Sequence, residues 1–329
     1  MAFDVPDFAT LMALESHGPD VYVGISPEYP WGRVYGGQVV AQGLRAAQAT
    51  VDDGLGVHSL HAYFIRGGTS DEPIRYEVDR IRNGRSFATR RVVARQSDGA
   101  ILNLACSFQV VEDQADIQEA VLPDDAGRPG SGTPEDWELL GRRVVHQSIG
   151  RAAIWLRVLE DLGDDPAMQA CALAYTSDDI PTNAAASTHP RIGEVSDDSV
   201  TTYGDVFIGA SLDHAIWFHR PPSPDEWLFH DLRSHGWPTL GGWPWARCSP
   251  HRAYTWPPWP KRSYCANGPA ESGDRRRSVT RPQPRIAPRR SVRASPASLA
   301  RRGLSCQTRR HGGCPDHRAG APMGPALPD

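Results

Sequence analysis

The chain has 329 residues, with 35 Lys and Arg against 39 Asp and Glu, a net charge of -4, and 40% hydrophobic residues. No stretch is apolar for long enough to span a membrane. Met1 to Val5 lacks the basic start and apolar core of a secretory leader, so a soluble, cytoplasmic protein is expected.

The first 236 residues divide into two similar halves. Phe8 to Ser16 has helical spacing, and Val21 to Ile25 reads as a short strand. Gly36 and Gly37 precede Gln38 to Ala47, a run that is small and apolar all round and predicts a buried helix. Four strands are expected next, at Val57–Ile65, Pro73–Ile81, Phe87–Arg95 and Ile101–Val111. The dipeptides Gly67-Gly68, Asn83-Gly84 and Asp98-Gly99 punctuate them as hairpins. A buried helix followed by an antiparallel meander that wraps it is a hotdog unit, spanning 1–112.

Residues 113–136 are polar and rich in Asp, Gly and Pro, and read as a linker. The second half, 137–236, repeats the pattern: a strand at Ile154–Leu162, an Ala-rich helix at Pro166–Asp178, and strands at Val206–His219 and Trp227–Arg233. The fold class is therefore α+β, two tandem hotdog units, the second incomplete, with fewer strands than the first. Cys106 and Cys171 stand alone in apolar surroundings and read as reduced core thiols, which fits a cytoplasmic location.

The stretch Ser211 to Pro221 carries the most chemistry. Apolar and polar positions alternate, a proline stops it, and a hydroxyl, a carboxylate, two imidazoles and a guanidinium sit among large apolar groups. A strand of this kind lines a cleft or an interface. Asp213-His214-Ala215-Ile216-Trp217-Phe218-His219-Arg220-Pro221 resembles a segment of the acyl-CoA thioesterase II family. Arg33 to Gln42, Val57 to Gly68 and Ala174 to Asp178 are similar to further stretches of that family, in the same order.

The resemblance implies fused hotdog units with sheets joined side by side. It implies an acyl-CoA thioesterase that converts acyl-CoA and water to a fatty acid and free CoA, without metal or organic cofactor. It places the catalytic carboxylate on Asp178 and the catalytic hydroxyl on Ser211. The family's third site member, a Gln on the last strand, has no matching residue. Gly36 and Gly37 would let the thioester pass close to the backbone. His58 is taken as the one histidine that lines the cleft, while His61, His214 and His219 are assigned to packing and hydrogen bonding. Related proteins associate through their sheets and helices, so a homo-oligomer is expected.

Two other functions fit parts of the sequence. A hotdog hydratase or dehydratase uses a carboxylate with a His near the helix start, and no His stands beside Gly36 and Gly37. A non-enzymatic acyl-CoA-binding protein with a basic tail is the other. There is no Gly-x-Ser-x-Gly elbow, Walker loop or dinucleotide fingerprint.

After Gly236 the composition changes. Acidic residues exceed basic ones by seventeen before it, and basic exceed acidic by thirteen after it. The segment 237–329 is basic and rich in Pro, Arg and Gly, shows no period of 2 or 3.6, and is expected to be disordered. Its cysteines lack zinc-ligand spacing, and nucleic acid is not expected as a partner. Trp-Pro recurs four times there. Read one base earlier, each Trp-Pro becomes a Val, Leu or Met codon followed by Ala. In that frame Trp256 to Ala266 reads Val-Ala-Ser-Val-Ala-Gln-Glu-Val-Leu-Leu-Arg, which is similar to the family's closing strand. A base lost just before codon 237 would account for this, and the coding DNA would decide it.

Overall fold

The computed structural model describes residues 5–112, 121–179, 181–188 and 210–234, and the backbone of three two-residue strands beyond them. The expectations for 113–120, for 189–209 and for most of the tail lie outside the described residues.

Helix α1 (Phe8–Met12) is capped by Asp7, whose side chain accepts from the Thr10 N–H at 2.6 Å. Strands β1 (Glu15–Ser16) and β2 (Val21–Gly24) follow, then helix α2 (Gly36–Gln48). Ten residues of α2 are buried, because strands β3 (Leu55–Phe64), β4 (Ile74–Asn83), β5 (Phe87–Gln96) and β6 (Gly99–Val110) curl round it. Its two buried amides are satisfied. Tyr29 OH donates to Gln38 Oε1 at 2.8 Å, and Tyr76 OH donates to Gln42 Oε1 at 2.6 Å.

The region expected to be a linker is partly packed. A 3-10 turn at Asp124–Ala126 accepts a hydrogen bond at the Ala126 carbonyl from Trp155 Nε1, 2.8 Å away. Ala126, Trp155 and Phe229 share one apolar cluster on that face. Strand β7 (Thr133–Pro134) leads to β8 (Leu140–Ser148) and β9 (Arg151–Val158), then helix α3 (Pro166–Thr176) and the short helix α4 (Pro181–Ala186). Strands β10 (Asp213–Trp217) and β11 (Leu228–Arg233) follow, and then the backbone strands β12 (Thr239–Leu240), β13 (Trp243–Pro244) and β14 (Ala253–Tyr254).

The first sheet has the order β1-β2-β4-β5-β6-β3-β10, and the second β14-β11-β9-β8-β7. Strand β10 of the second unit therefore extends the sheet of the first, pairing antiparallel with β3 from Asp213↔Tyr63 to Trp217↔Ser59. Among the described residues the units are joined through this strand, the seven-stranded and five-stranded sheets being otherwise separate.

Helices α2 and α3 run antiparallel against each other in one core. The Gly37 N–H donates to Asp178 at one end. Gln48 Nε2 donates to the Ala167 carbonyl at the other end, at 3.2 Å. Asp165 caps α3 by accepting from the Ala167 N–H, and Pro166 sits at the first helical position, where its missing N–H costs nothing.

Candidate active site

The site forms where the start of α2 meets the end of α3. Asp178 follows α3 by two residues and its side chain is only 6% exposed. Its Oδ1 accepts a hydrogen bond from Ser211 Oγ at 2.8 Å, and the carboxylate also accepts from the Gly37 N–H. Burial pushes the carboxyl up to about 6, against the pull of those two donors. The start of α2 has no side-chain cap, so the positive end of the helix faces this carboxylate.

The two glycines are there for space. A Cβ on Gly36 would stand 2.5 Å from Asp178 Oδ2 and 3.0 Å from the Phe64 ring. A Cβ on Gly37 would collide with the Tyr175 carbonyl oxygen. Tyr35 reinforces the same junction, its OH donating to the Tyr175 carbonyl at 2.8 Å.

Asp178, Ser211, Gly36 and Gly37 are thus brought together, and His58 is not. His58 lies in an irregularity of β3 between Val57 and Ser59. Phe64, six residues along that strand, is the β3 residue beside Gly36. At about 3.3 Å per residue, that puts His58 roughly 20 Å away. His58 therefore stands away from the junction of Asp178, Ser211, Gly36 and Gly37.

The histidine at the site is His214. Its Nδ1 lies 4.0 Å from Asp178 Oδ1. Its Nε2 is 2.9 Å from Ser177 Oγ, whose own proton goes to the Ala174 carbonyl at 2.9 Å. Burial lowers the imidazole to about 4, so it is neutral at physiological pH. Sequence reasoning had left His214 to packing. The available signal was a polar residue at an inward, alternating position three residues after Ser211.

Asp179, next to the site carboxylate, is buried too. Its Oδ2 lies 3.1 Å from Arg142 Nε, which offsets the rise that burial gives its carboxyl, to about 6. Among the described residues, no group of three or more His, Cys, Asp or Glu is arranged to hold a metal ion. No helix among them is long and apolar enough to cross a membrane.

Comparison with known proteins gives the family. Residues 25–109 match the family described as acyl-CoA thioesterase N-terminal domain, and residues 138–238 match acyl-CoA thioesterase. The chain is 29% identical over 274 residues to mouse acyl-coenzyme A thioesterase 8, covering 71% of this chain and 79% of that protein. It is 28% identical to acyl-CoA thioesterase 2 of Haemophilus influenzae, covering 68% of this chain and 85% of that one. Among solved structures, an acyl-CoA thioesterase II from Mycobacterium marinum superposes with a TM-score of 0.57 at 32% identity, over 71% of this chain and 86% of that one. A hot-dog-fold protein from Alicyclobacillus acidocaldarius superposes with a TM-score of 0.54 at 16% identity, a likeness of fold alone.

Proposed function

The chain belongs to the acyl-CoA thioesterase II family and is an acyl-CoA hydrolase, and from that premise we propose that Asp178 activates the attacking water while Ser211 orients it. The observation that carries the reading is the 2.8 Å hydrogen bond from Ser211 Oγ to the buried Asp178 carboxylate.

In this mechanism a water held by Asp178 gives it a proton and adds to the thioester carbonyl. The oxygen of the tetrahedral adduct takes the negative charge, and backbone N–H groups at the uncapped start of α2 stabilise it. The adduct collapses with cleavage of the carbon–sulfur bond, and the proton on Asp178 passes to the departing thiolate. A carboxyl raised to about 6 suits both halves of this cycle, being ionised at rest yet basic enough to take the proton. Gly36 and Gly37 leave the acyl group room to approach the backbone. The buried free thiols Cys106 and Cys171 support work in a reducing compartment such as the cytoplasm.

The proximity of His214 to Asp178 bears on the hydratase alternative, but the imidazole is buried, held neutral, and engaged through Nε2 by Ser177. Release of free CoA from acyl-CoA, followed with a thiol reagent, tests the reading. Asp178→Ala is expected to abolish release, and Ser211→Ala to slow it about a hundredfold, while the circular dichroism of the fold persists. Unchanged rates in both variants would refute the assignment.

A further inference from the structure

Two carboxylates stand side by side at the end of α3. Asp178 and Asp179 follow the helix by two and three residues, and each side chain is only 6% exposed. The Asp179 N–H donates to the Thr176 carbonyl at 3.2 Å, which holds both residues at the negative end of the helix. Like charges this close and this dry persist together only if each has a compensating group. Asp178 has the Gly37 N–H, the uncapped start of α2 and the Ser211 hydroxyl. None of these is a full charge.

The compensating group for Asp179 is a full charge brought by another element. Arg142 sits in β8, where its N–H donates to Asp136 Oδ1 at 3.0 Å and its carbonyl accepts from the Glu135 N–H at 3.0 Å. With its backbone fixed in this way, its side chain places Nε 3.1 Å from Asp179 Oδ2, with 17% of that side chain exposed. An ion pair so little exposed is weakly screened, and losing one partner strands the other as a buried charge.

The other groups that face the two carboxylates leave this balance to Arg142. His214 on β10 lies 4.0 Å from Asp178, and burial keeps its ring neutral. Tyr35 before α2 and Tyr175 on α3 keep their protons, because burial and these carboxylates hold both phenols well above their ordinary value. Glu135, exposed ahead of β8, adds a repulsion to Asp179. We propose that Arg142 is a positioning residue for hydrolysis that acts through Asp179: by neutralising that carboxylate from β8, it leaves the charge of Asp178 free to serve as the base. Without Arg142, one proton shared between the adjacent carboxylates would occupy the site at neutral pH. Without Asp179, the guanidinium would stand unpaired beside Asp178 and make it a weaker base. The role in the reaction rests on the assignment of Asp178 as base, whereas the coupling of the charges does not.

The pH profile of kcat/KM in the full chain separates this role from support of the fold. Arg142→Met should move the rising limb up by about one pH unit, so that the rate falls roughly tenfold near pH 5 and is regained above about pH 8. Asp179→Asn, of nearly the same shape, should move the limb down by a similar amount. The double variant removes both charges and should return the limb to near 6, as should Arg142→Lys, which restores the cation. A residue that only braced the fold would lower the rate at every pH and leave the limb in place. Limbs that stay put in both single variants, or that move the same way, would overturn the proposal. If Arg142→Met does not fold, the direction of the shift in Asp179→Asn decides alone.

Melting temperature gives a reading that needs no catalysis. Asp178→Asn, introduced into each background, shows where Asp178 ionises, as the pH at which the difference in melting temperature climbs. That climb should move up with Arg142→Met and down with Asp179→Asn, and a climb that does not move overturns the coupling. If the climb moves and the limb does not, the coupling stands and Asp178 is not the base.

Discussion

Ser211 Oγ donates to Asp178 Oδ1 across 2.8 Å, joining the approach to a strand that continues the first unit's sheet to the end of the second unit's helix. The carboxylate that the hydroxyl serves is buried. Ser211→Ala should therefore lower kcat by about a hundredfold, in line with the loss of one polar group aimed at a reacting centre. Ser211→Thr, which keeps the hydroxyl, should retain activity within about tenfold. Steady-state CoA release by the two variants checks the pair.

The rate should depend on pH through the same carboxyl. With Asp178 raised to about 6, kcat/KM should rise between pH 5 and 7 with an apparent pKa near 6 and then level off. His214, lowered to about 4, stays neutral over that range and adds no second limb there. A rising limb near the ordinary carboxylate value of 3.8 would mean that the group doing the work is solvated.

Stability gives an independent reading of that burial. Asp178 binds its proton more tightly folded than unfolded, so its contribution is fully present below 3.8 and is lost as pH rises through about 6. His214 works in the opposite sense. Its contribution is present above 6.5 and is lost as pH falls through about 4. Asp178→Asn cannot ionise, so its melting temperature relative to the unaltered protein should climb between pH 4 and pH 7. Parallel melting curves across that range would contradict a buried, ionising Asp178.

The two glycines at the helix start should fail in different ways. A Cβ at Gly36 meets a carboxylate oxygen and an aromatic ring, both ends of side chains that can move. Gly36→Ala should therefore fold but lose most of its activity, because Asp178 is pushed off position. A Cβ at Gly37 meets backbone of α3, so Gly37→Ala should separate the helices and lower the melting temperature by several degrees. Thermal melts alongside activity assays distinguish the two.

The lack of a residue matching the family's strand Gln makes its own prediction. A chain re-read in the alternative frame from codon 237 should hydrolyse acyl-CoA about a hundredfold or more faster than the present sequence. Equal rates would show that the reaction proceeds without that Gln.

Much of the fold was legible because its signals are local. Asn83-Gly84 and Asp98-Gly99 mark the turns that separate β4, β5 and β6, and a run dominated by small and apolar residues flags α2 as buried. Strand β8 was missed. Its Arg142, Arg143, His146 and Gln147 break the alternation, and Arg142 pairs with Asp179 while Arg143 meets Asp136 and the Trp227 ring. Helix α4 at Pro181–Ala186 is too short for periodicity to show. At the site, Asp178 and Ser211 followed from family likeness, whereas the arrival of His214 and the burial of Asp179 against Arg142 depend on how α3 docks. Nothing within a strand records which helix will cross it, and the same blindness put His58 in the cleft.

Helices α2 and α3 are related as antiparallel partners, so their contact has two ends that would be equivalent if the halves were identical. At one end stand the glycines and the carboxylate. At the other, Gln48 and Arg45 meet Ala167 and Asp165 in ordinary helix-to-helix contacts, with no paired glycine and no buried acid. On the proposed assignment each polypeptide would carry a single turnover centre in a doubled architecture, and a non-hydrolysable acyl-CoA analogue should saturate at one equivalent per chain.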